Sequence, residues 1–243
     1  MTERKRCILW IGAHPDDETQ ASGTLAKFAK NGHRAVICVV SKAEKGHMEI
    51  PPDELVKIRD REMAEAAKIL GAEYYGNLGV PDLEVFVTNE LVHKITEVIR
   101  RVEPNIVITH WERDYSPDHI NTGIAVTNAV LATQIPYYKT ETPGHWVQRL
   151  YYSDTSQGLD FEPDFWIDIS DTIEVKLKAF AAHKSQMQWL GVGGRDPLET
   201  TRVHARFRGI QAGTMYAEAF RSTRRGQFVH AELGYAASLT SLS

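Results

Sequence analysis

The feature that most constrains this chain is the apolar run Cys7-Ile8-Leu9-Trp10-Ile11-Gly12 passing directly into Ala13-His14-Pro15-Asp16-Asp17-Glu18. Such a run reads as a buried strand, and it delivers an imidazole and three carboxylates to the edge of a sheet, where open α/β folds build their ligand sites. A first-row divalent ion accepts imidazole nitrogen and carboxylate oxygen, and a catalytic site commonly uses three protein donors plus a water. His14 and Asp17 supply two of the three. Asp16, beside a proposed ligand, can point into the same cavity without binding the ion and take a proton from the water. The pattern suggests a metal hydrolase. The competing expectation is a plain helix start, with Asp16, Asp17 or Thr19 capping a helix from about Gln20 to Asn31 and Pro15 preorganising the turn.

Strand-like runs alternate with helix-like segments through the first half, which predicts successive β-α units: a mostly parallel central sheet with helices on both faces, an α/β fold in three layers. Strands are expected near 6–12, 34–41, 72–77 and 105–110, and helices near 19–31, 53–70, 88–102 and 119–134. The second helix carries Leu55, Ile58, Met63, Ala66, Ala67 and Leu70 at helical spacing, begins after Pro51-Pro52-Asp53 and stops at Gly71. After about Gln134 aromatics and turn residues precede two short strand candidates, Arg149 to Ser153 and Phe165 to Ser170, then one long helix from about Thr172 to Leu190 and the loop 191–197. The tail beyond about Gly234 reads as weakly ordered. We expect one domain over 1–243, with 1–134 as the β-α core and 135–243 as a substrate-facing extension.

Composition narrows the function. The 243 residues are 42% hydrophobic and 25% charged, ordinary for a globular chain, and the net charge of -4 offers no basic field for nucleic acid or an anionic membrane. The first apolar run is too short for a signal segment or a membrane span, which points to a cytoplasmic protein acting on small molecules. Cys7 and Cys38 both lie in strand-like runs and read as buried reduced thiols, so any metal must be held by His, Asp or Glu. No Gly-x-Gly-x-x-Gly, phosphate-loop or Gly-x-Ser-x-Gly signature is present.

The third donor is sought in Asp114-Tyr115-Ser116-Pro117-Asp118-His119, which follows the strand ending at His110 and opens the next helix. Together with the first motif it resembles the zinc-dependent N-acetylglucosaminyl de-N-acetylases, the LmbE-like or PIG-L family that includes phosphatidylinositol-glycan, mycothiol and bacillithiol deacetylases. Further matches are Glu44-Lys45-Gly46, Arg59 with Glu62, Val80-Pro81-Asp82, His183-Lys184-Ser185-Gln186 and Ala217-Glu218-Ala219-Phe220. The resemblance implies a Rossmann-like fold and Zn2+, or another divalent first-row metal, held by His14, Asp17 and His119, with Asp16 as general base. It implies attack of a zinc-activated water on an N-acetyl amide, and a small-molecule N-acetylated amino sugar or glycoconjugate as partner.

Ser116 departs from the family, in which much of the segment reads His-Pro-Asp-His and its first His, oriented by the Asp, is thought to stabilise the oxyanion or protonate the leaving amine. Serine donates a hydrogen bond but cannot act as an imidazolium. Asp118 is then left to orient a ligand or a substrate hydroxyl, and the missing acid is sought in His204, His183, His110 or Tyr115. His204, between Arg202 and Arg206, is the favoured candidate, with that positive charge expected to tune its acidity. Arg59 matches a family residue thought to reach a substrate phosphate or hydroxyl, and Tyr115 and Ser116 are expected to contact substrate. Tyr137, Tyr138, Trp146, Tyr151 and Tyr152 offer either a sugar-stacking wall or core packing. Two other functions stay open: a weakened zinc protein that binds a sugar, and an enzyme of the same fold acting on a non-sugar amide. Aromatic residues beyond 134 also leave room for a homo-oligomer interface.

Overall fold

A computed structural model describes residues 5–223 and contains a seven-stranded sheet in the order β3-β2-β1-β4-β5-β7-β6. The strands are β1 (Cys7–Gly12), β2 (Arg34–Ser41), β3 (Glu73–Val80), β4 (Ile106–Thr109), β5 (Arg149–Ser153), β6 (Phe165–Asp168) and β7 (Ala217–Ser222). The helices are α1 (Ser22–Lys30), α2 (Pro52–Leu70), α3 (Asn89–Val102), α4 (Pro117–Ala132), α5 (Ile173–Phe180), α6 (Lys184–Leu190) and α7 (Pro197–Ala212), with a short 3-10 turn at Asp17–Gln20. From β3 to β5 all neighbouring strands pair in parallel, while β7 runs antiparallel to both β5 and β6. This is the α/β architecture expected, with a mixed edge added by the second half.

Strand alternation divides the core. Ile8 and Trp10 of β1, with Ala35, Ile37 and Val39 of β2, pack under α1, α2 and α5, whereas Leu9, Ile11, Val36, Cys38 and Val40 pack under α3 and α4. Both faces of β1 and β2 are therefore covered, which is why their sequences are apolar without interruption. The two cysteines are free and buried. No helix among the described residues is long and apolar enough to cross a membrane.

Four differences from the expected elements have local causes. β3 continues to Val80 rather than stopping near 77, because register shifts against β2 are absorbed by Gly76 and Gly79 at φ 128 and 80. The single helix expected at 172–190 is broken into α5 and α6 at Ala181–His183, where His183 leaves helical geometry. Helix α7, absent from the expected elements, starts at Asp196, whose side chain accepts from the Leu198 and Glu199 amides, and ends at Gly213 with φ 73. β7, expected only as a family-like motif, closes the sheet between β5 and β6. The tail beyond Gly234 lies outside the described residues.

The chain order reverses between β1 and β4: β2 and β3 extend to one side of β1, and β4 lies on the other. The crevice beyond the carboxyl ends of β1 and β4 is where ligands bind in open α/β sheets, and it is here that the loops carrying 13–18 and 110–119 emerge. Helix α4 packs close to this point, since a Cβ on Gly123 would meet the His110 carbonyl oxygen at 2.6 Å. Gly123→Ala should therefore lower the free energy of unfolding by about 1–3 kcal/mol. An unchanged urea midpoint would contradict the close approach.

Candidate metal centre and active site

The centre is assembled by the loops that follow β1, β3 and β4. His14 and Asp17 come from the first, where the Asp17 amide bonds to the His14 carbonyl and Asp17 Oδ2 accepts from the His14 amide at 2.7 Å. His119 comes from the first turn of α4, and its Nε2 lies 3.2 Å from Asp17 Oδ1. His14 Nδ1 lies 3.2 Å from Asp17 Oδ2. His14, Asp17 and His119 can thus each offer a donor atom within 4.8 Å of the others.

The far nitrogen of each imidazole faces a carboxylate. His14 Nε2 is 3.1 Å from Asp118 Oδ2 and 3.3 Å from Asp82 Oδ1, and His119 Nδ1 is 3.3 Å from Asp114 Oδ2. Outer carboxylates of this kind fix ring orientation at metal sites. Asp118 is itself fixed, because it also accepts from the Leu83 and Val85 amides, and Asp114 Oδ1 accepts from the Tyr115 amide. Burial alone would lower the pKa of His119, yet Asp17 and Asp114 push it up to about 9, and His14 moves well upward under Asp17, Asp118 and Asp82 in the same way. Burial would raise Asp17, and the three surrounding imidazoles outweigh it downward. The cluster favours positive charge at its middle, and a nitrogen and carboxylate donor set suits a first-row divalent cation there.

Asp16 stands apart from the donors. Its backbone has φ 114, outside the range ordinary residues adopt, and no side chain caps the 3-10 turn or α1, so the helix-cap expectation does not describe this segment. The Asp16 amide donates to Glu18 Oε2 at 3.0 Å, and Asp16 Oδ2 accepts from Gln186 Nε2. Burial and the adjacent Asp17 push its carboxyl up to about 6, while His183, Arg59 and Gln186 act in the opposite direction.

Asp16 and Asp17 open on a cavity of about 260 Å³ whose wall also carries Tyr115, Asp154, Arg195 and His204. His204 belongs to α7 and its Nε2 sits 3.0 Å from Asp154 Oδ2, with Asp154 held through both oxygens by Arg208. The charges once expected to tune His204 point elsewhere: Arg202 pairs with Glu174 and Arg206 donates to the Thr214 and Met215 carbonyls. Tyr115 is 74% exposed and meets the His119 ring edge-on. Ser116 is the N-cap position of α4, but its hydroxyl does not cap the helix.

Several expected roles are corrected. Arg59 is 3% exposed and donates to the Ala43 and Gly46 carbonyls and to Gln186 Oε1, so it braces the loop after β2 rather than meeting a substrate. His183 is fully buried, absent from the cavity wall, and bonded through Nε2 to Glu18 Oε1, which removes it as a proton donor to a ligand. His110 Nε2 accepts from the Ala13 amide, and burial, then His119, lowers its pKa; it is a neutral platform stacked 4.1 Å behind His119 rather than an acid. Of the two orienting roles expected for Asp118, its oxygens, on two backbone amides and on His14, match the one toward a donor imidazole rather than toward a substrate hydroxyl. Tyr151 and Tyr152 are core residues, and Tyr138 and Trp146 line a separate hollow around Arg100, so the aromatic stretch is not a wall of this cavity.

Sequence reasoning missed the groups that hold the metal loop from the second half. Glu218 of β7 accepts from the Gly23 and Thr24 amides at the start of α1, each at 2.8 Å, and pairs with the buried Lys176. The motif Ala217-Glu218-Ala219-Phe220 was visible in the sequence, but only the antiparallel placement of β7 shows what its carboxylate reaches. Asp82 and Asp114 were likewise visible as residues without an assigned role.

Residues 9–130 match the PIG-L family, described as GlcNAc-PI de-N-acetylase. The chain is 29% identical over 238 residues to diacetylchitobiose deacetylase of Thermococcus kodakarensis, spanning 92% of this chain and 85% of that protein. It is 28% identical over 220 residues to a probable N-acetyl-alpha-D-glucosaminyl L-malate deacetylase 2 of Bacillus cereus, spanning 87% and 93%. The solved N,N'-diacetylchitobiose deacetylase of Pyrococcus horikoshii superposes with a TM-score of 0.80 at 26% identity, covering 96% of this chain and 88% of that one. At the centre itself, His14→Ala and His119→Ala should each abolish stoichiometric metal binding, whereas Asp118→Asn should weaken it by about 10- to 100-fold. Metal analysis and titration against a chelator decide this, and full occupancy in both alanine variants would overturn the donor set.

Proposed function

Since the chain belongs to the PIG-L family, we propose that it is a zinc-dependent N-deacetylase removing an N-acetyl, or another small N-acyl, group from an amino-sugar-containing small molecule. The observation that carries this reading is Asp16: a half-buried carboxylate outside the metal-donor set, opening on the same cavity as Asp17. His14, Asp17 and His119 would hold the ion. Zinc in such a site supplies Lewis acidity, polarising an amide carbonyl and making water acidic near neutral pH.

The remaining work falls to side chains of this protein. Gln186 occupies Asp16 Oδ2, leaving Oδ1 as the oxygen that takes a proton from the attacking water. The raised pKa suits that role, since a base near the working pH both ionises and reprotonates readily. Cationic neighbours lower it, so Asp16 beside an occupied donor set would be ionised more readily than burial alone allows. Acetate and a free amine are the products, and the amine must receive a proton. His204 is the proposed donor, oriented by Asp154 as a carboxylate orients a catalytic imidazole. Tyr115, on the cavity wall, donates a hydrogen bond to the substrate, whereas Ser116, expected to do the same, is buried and absent from that wall. Hydroxyl and amide groups of Thr19, Gln20, Ser156 and Gln157 on the cavity wall suit the hydroxyls of a sugar. The relatives named as diacetylchitobiose and N-acetylglucosaminyl malate deacetylases support the amino-sugar assignment.

Two outcomes test the scheme, with acetate release from N,N'-diacetylchitobiose and N-acetylglucosamine conjugates as the assay. Asp16→Asn should keep its metal while turnover falls by about 10²- to 10⁴-fold; turnover near that of the unmodified protein would remove Asp16 as the base. His204→Ala should lower kcat by about 10-fold or more with metal content and melting unchanged. If kcat does not move, the amine takes its proton from Tyr115 or water.

A further inference from the structure

We infer that the buried pair Glu18 and His183 is a positioning device that locks the backbone of Asp16, and through it the direction of the catalytic carboxylate; the inference rests on Asp16 being the base. Both side chains are fully buried and neither lines the cavity, so neither can touch a substrate. Their contact, His183 Nε2 to Glu18 Oε1 at 2.8 Å, uses one oxygen of the carboxylate. The other oxygen, Oε2, receives the Asp16 amide at 3.0 Å. A chain of two hydrogen bonds thus runs from the ring of His183 to the peptide nitrogen of Asp16.

That peptide needs holding. At φ 114 and ψ -22 Asp16 sits in a conformation that non-glycine residues rarely adopt, so the surrounding structure must over-determine it. Rotation of φ toward negative values would swing the side chain on the same Cα away from Asp17 and the cavity. The break between α5 and α6 is what brings His183 to Glu18. One turn further on, Gln186 reaches Asp16 Oδ2 and is itself held by Arg59. Residues 183–186 therefore grip the base at two points, the peptide through Glu18 and the carboxylate through Gln186. A buried ion pair is weak evidence of stabilisation, because desolvation offsets most of the attraction. Its contribution here is orientation.

The test compares His183→Gln with His183→Asn. The glutamine amide nitrogen reaches as far as the ring Nε2 and can still donate to Glu18, while the asparagine nitrogen falls short. In His183→Asn the Asp16 amide should exchange with deuterium about 10-fold faster or more. On N,N'-diacetylchitobiose kcat should fall by at least about 10-fold with KM and metal content unchanged. In His183→Gln both readouts should stay within about 3-fold of the unmodified protein. Placed on Asp16→Asn, His183→Asn should cause no further loss, because a residue acting through Asp16 has nothing left to act on. Glu18→Ala cuts the same chain at its next link and should reproduce the fast exchange, so a folding failure of one variant leaves the other to decide. Unchanged exchange in His183→Asn, an equal loss in the glutamine variant, or multiplied losses on Asp16→Asn would each overturn the inference. If instead Asp16→Asn alone retains turnover, the base assignment fails, and if no acetate is released from any probe, the deacetylase reading fails; in both cases Asp16 amide exchange still decides the positioning.

Discussion

Buried opposite charge governs this molecule. His14 and His119 lie between Asp17 on one side and Asp82, Asp118 and Asp114 on the other, with little water to screen any of them. In such a setting the imidazoles take up protons, or a cation takes their place; nothing neutral satisfies the carboxylates. A divalent ion at His14, Asp17 and His119 would leave each ring one N–H for its outer carboxylate. The sheet makes the crowding tolerable because the aspartates are tied down by backbone amides: Asp118 by Leu83 and Val85, Asp114 by Tyr115 and Asp82 by Lys45. Positive φ at Asp16, Ala43 and Leu83, one in each loop after β1, β2 and β3, shows how sharply those loops turn to present these groups.

How much of this can be read from the sequence depends on whether a residue's partner is local. The parallel half was legible, since both faces of β1 and β2 are buried and their apolar runs say so. His14, Asp16 and Asp17 were legible for the same reason, as a chemically improbable set at the end of such a strand. The roles of Arg59 and His183 were not. Arg59 lies on α2 and His183 within what the sequence reads as one long helix, where a charged residue reads as solvated, and only the three-dimensional path of residues 41–50 and 181–186 supplies the carbonyls and the carboxylate that bury them. Helix α7 escaped because Val203, Phe207 and Ile210 are exposed at 56%, 49% and 66%, so its apolar residues do not mark a core-facing stripe. Its start, Asp196-Pro197, and its stop, Gly213, were signals in plain view.

The replacement of histidine by Ser116 shifts attention to the second half of the chain. In the described residues the imidazole that shares the cavity wall with Asp16 and Asp17 is His204, and it arrives with its own carboxylate, Asp154, which Arg208 holds from two directions. Gly158 allows this approach: a Cβ there would lie 3.1 Å from Arg208 and 3.3 Å from His204, at φ 69. An imidazole oriented by a carboxylate is therefore available, although it is built from β5, the following loop and α7 rather than from the first turn of α4.

The two halves of the chain are consequently interdependent at the level of single hydrogen bonds. The proposed metal donors and the proposed base are encoded before residue 120, but Glu218 fastens the start of α1, Lys176 reaches the Thr19 carbonyl, and residues 183–186 hold Asp16. Each of these contacts spans more than 150 residues of sequence or joins two elements that are remote from the first motif. A chain ending after α4 would retain every donor atom and the carboxylates that face the rings, and lose the groups that grip Asp16. Since catalytic efficiency depends on sub-ångström placement of a base against its water, the proposed chemistry would draw on the later half for placement rather than for a metal ligand. The same segment supplies most of the cavity wall, including Asp154, Ser156, Gln157, Arg195 and His204, so the lining is set by residues far in sequence from the proposed donors.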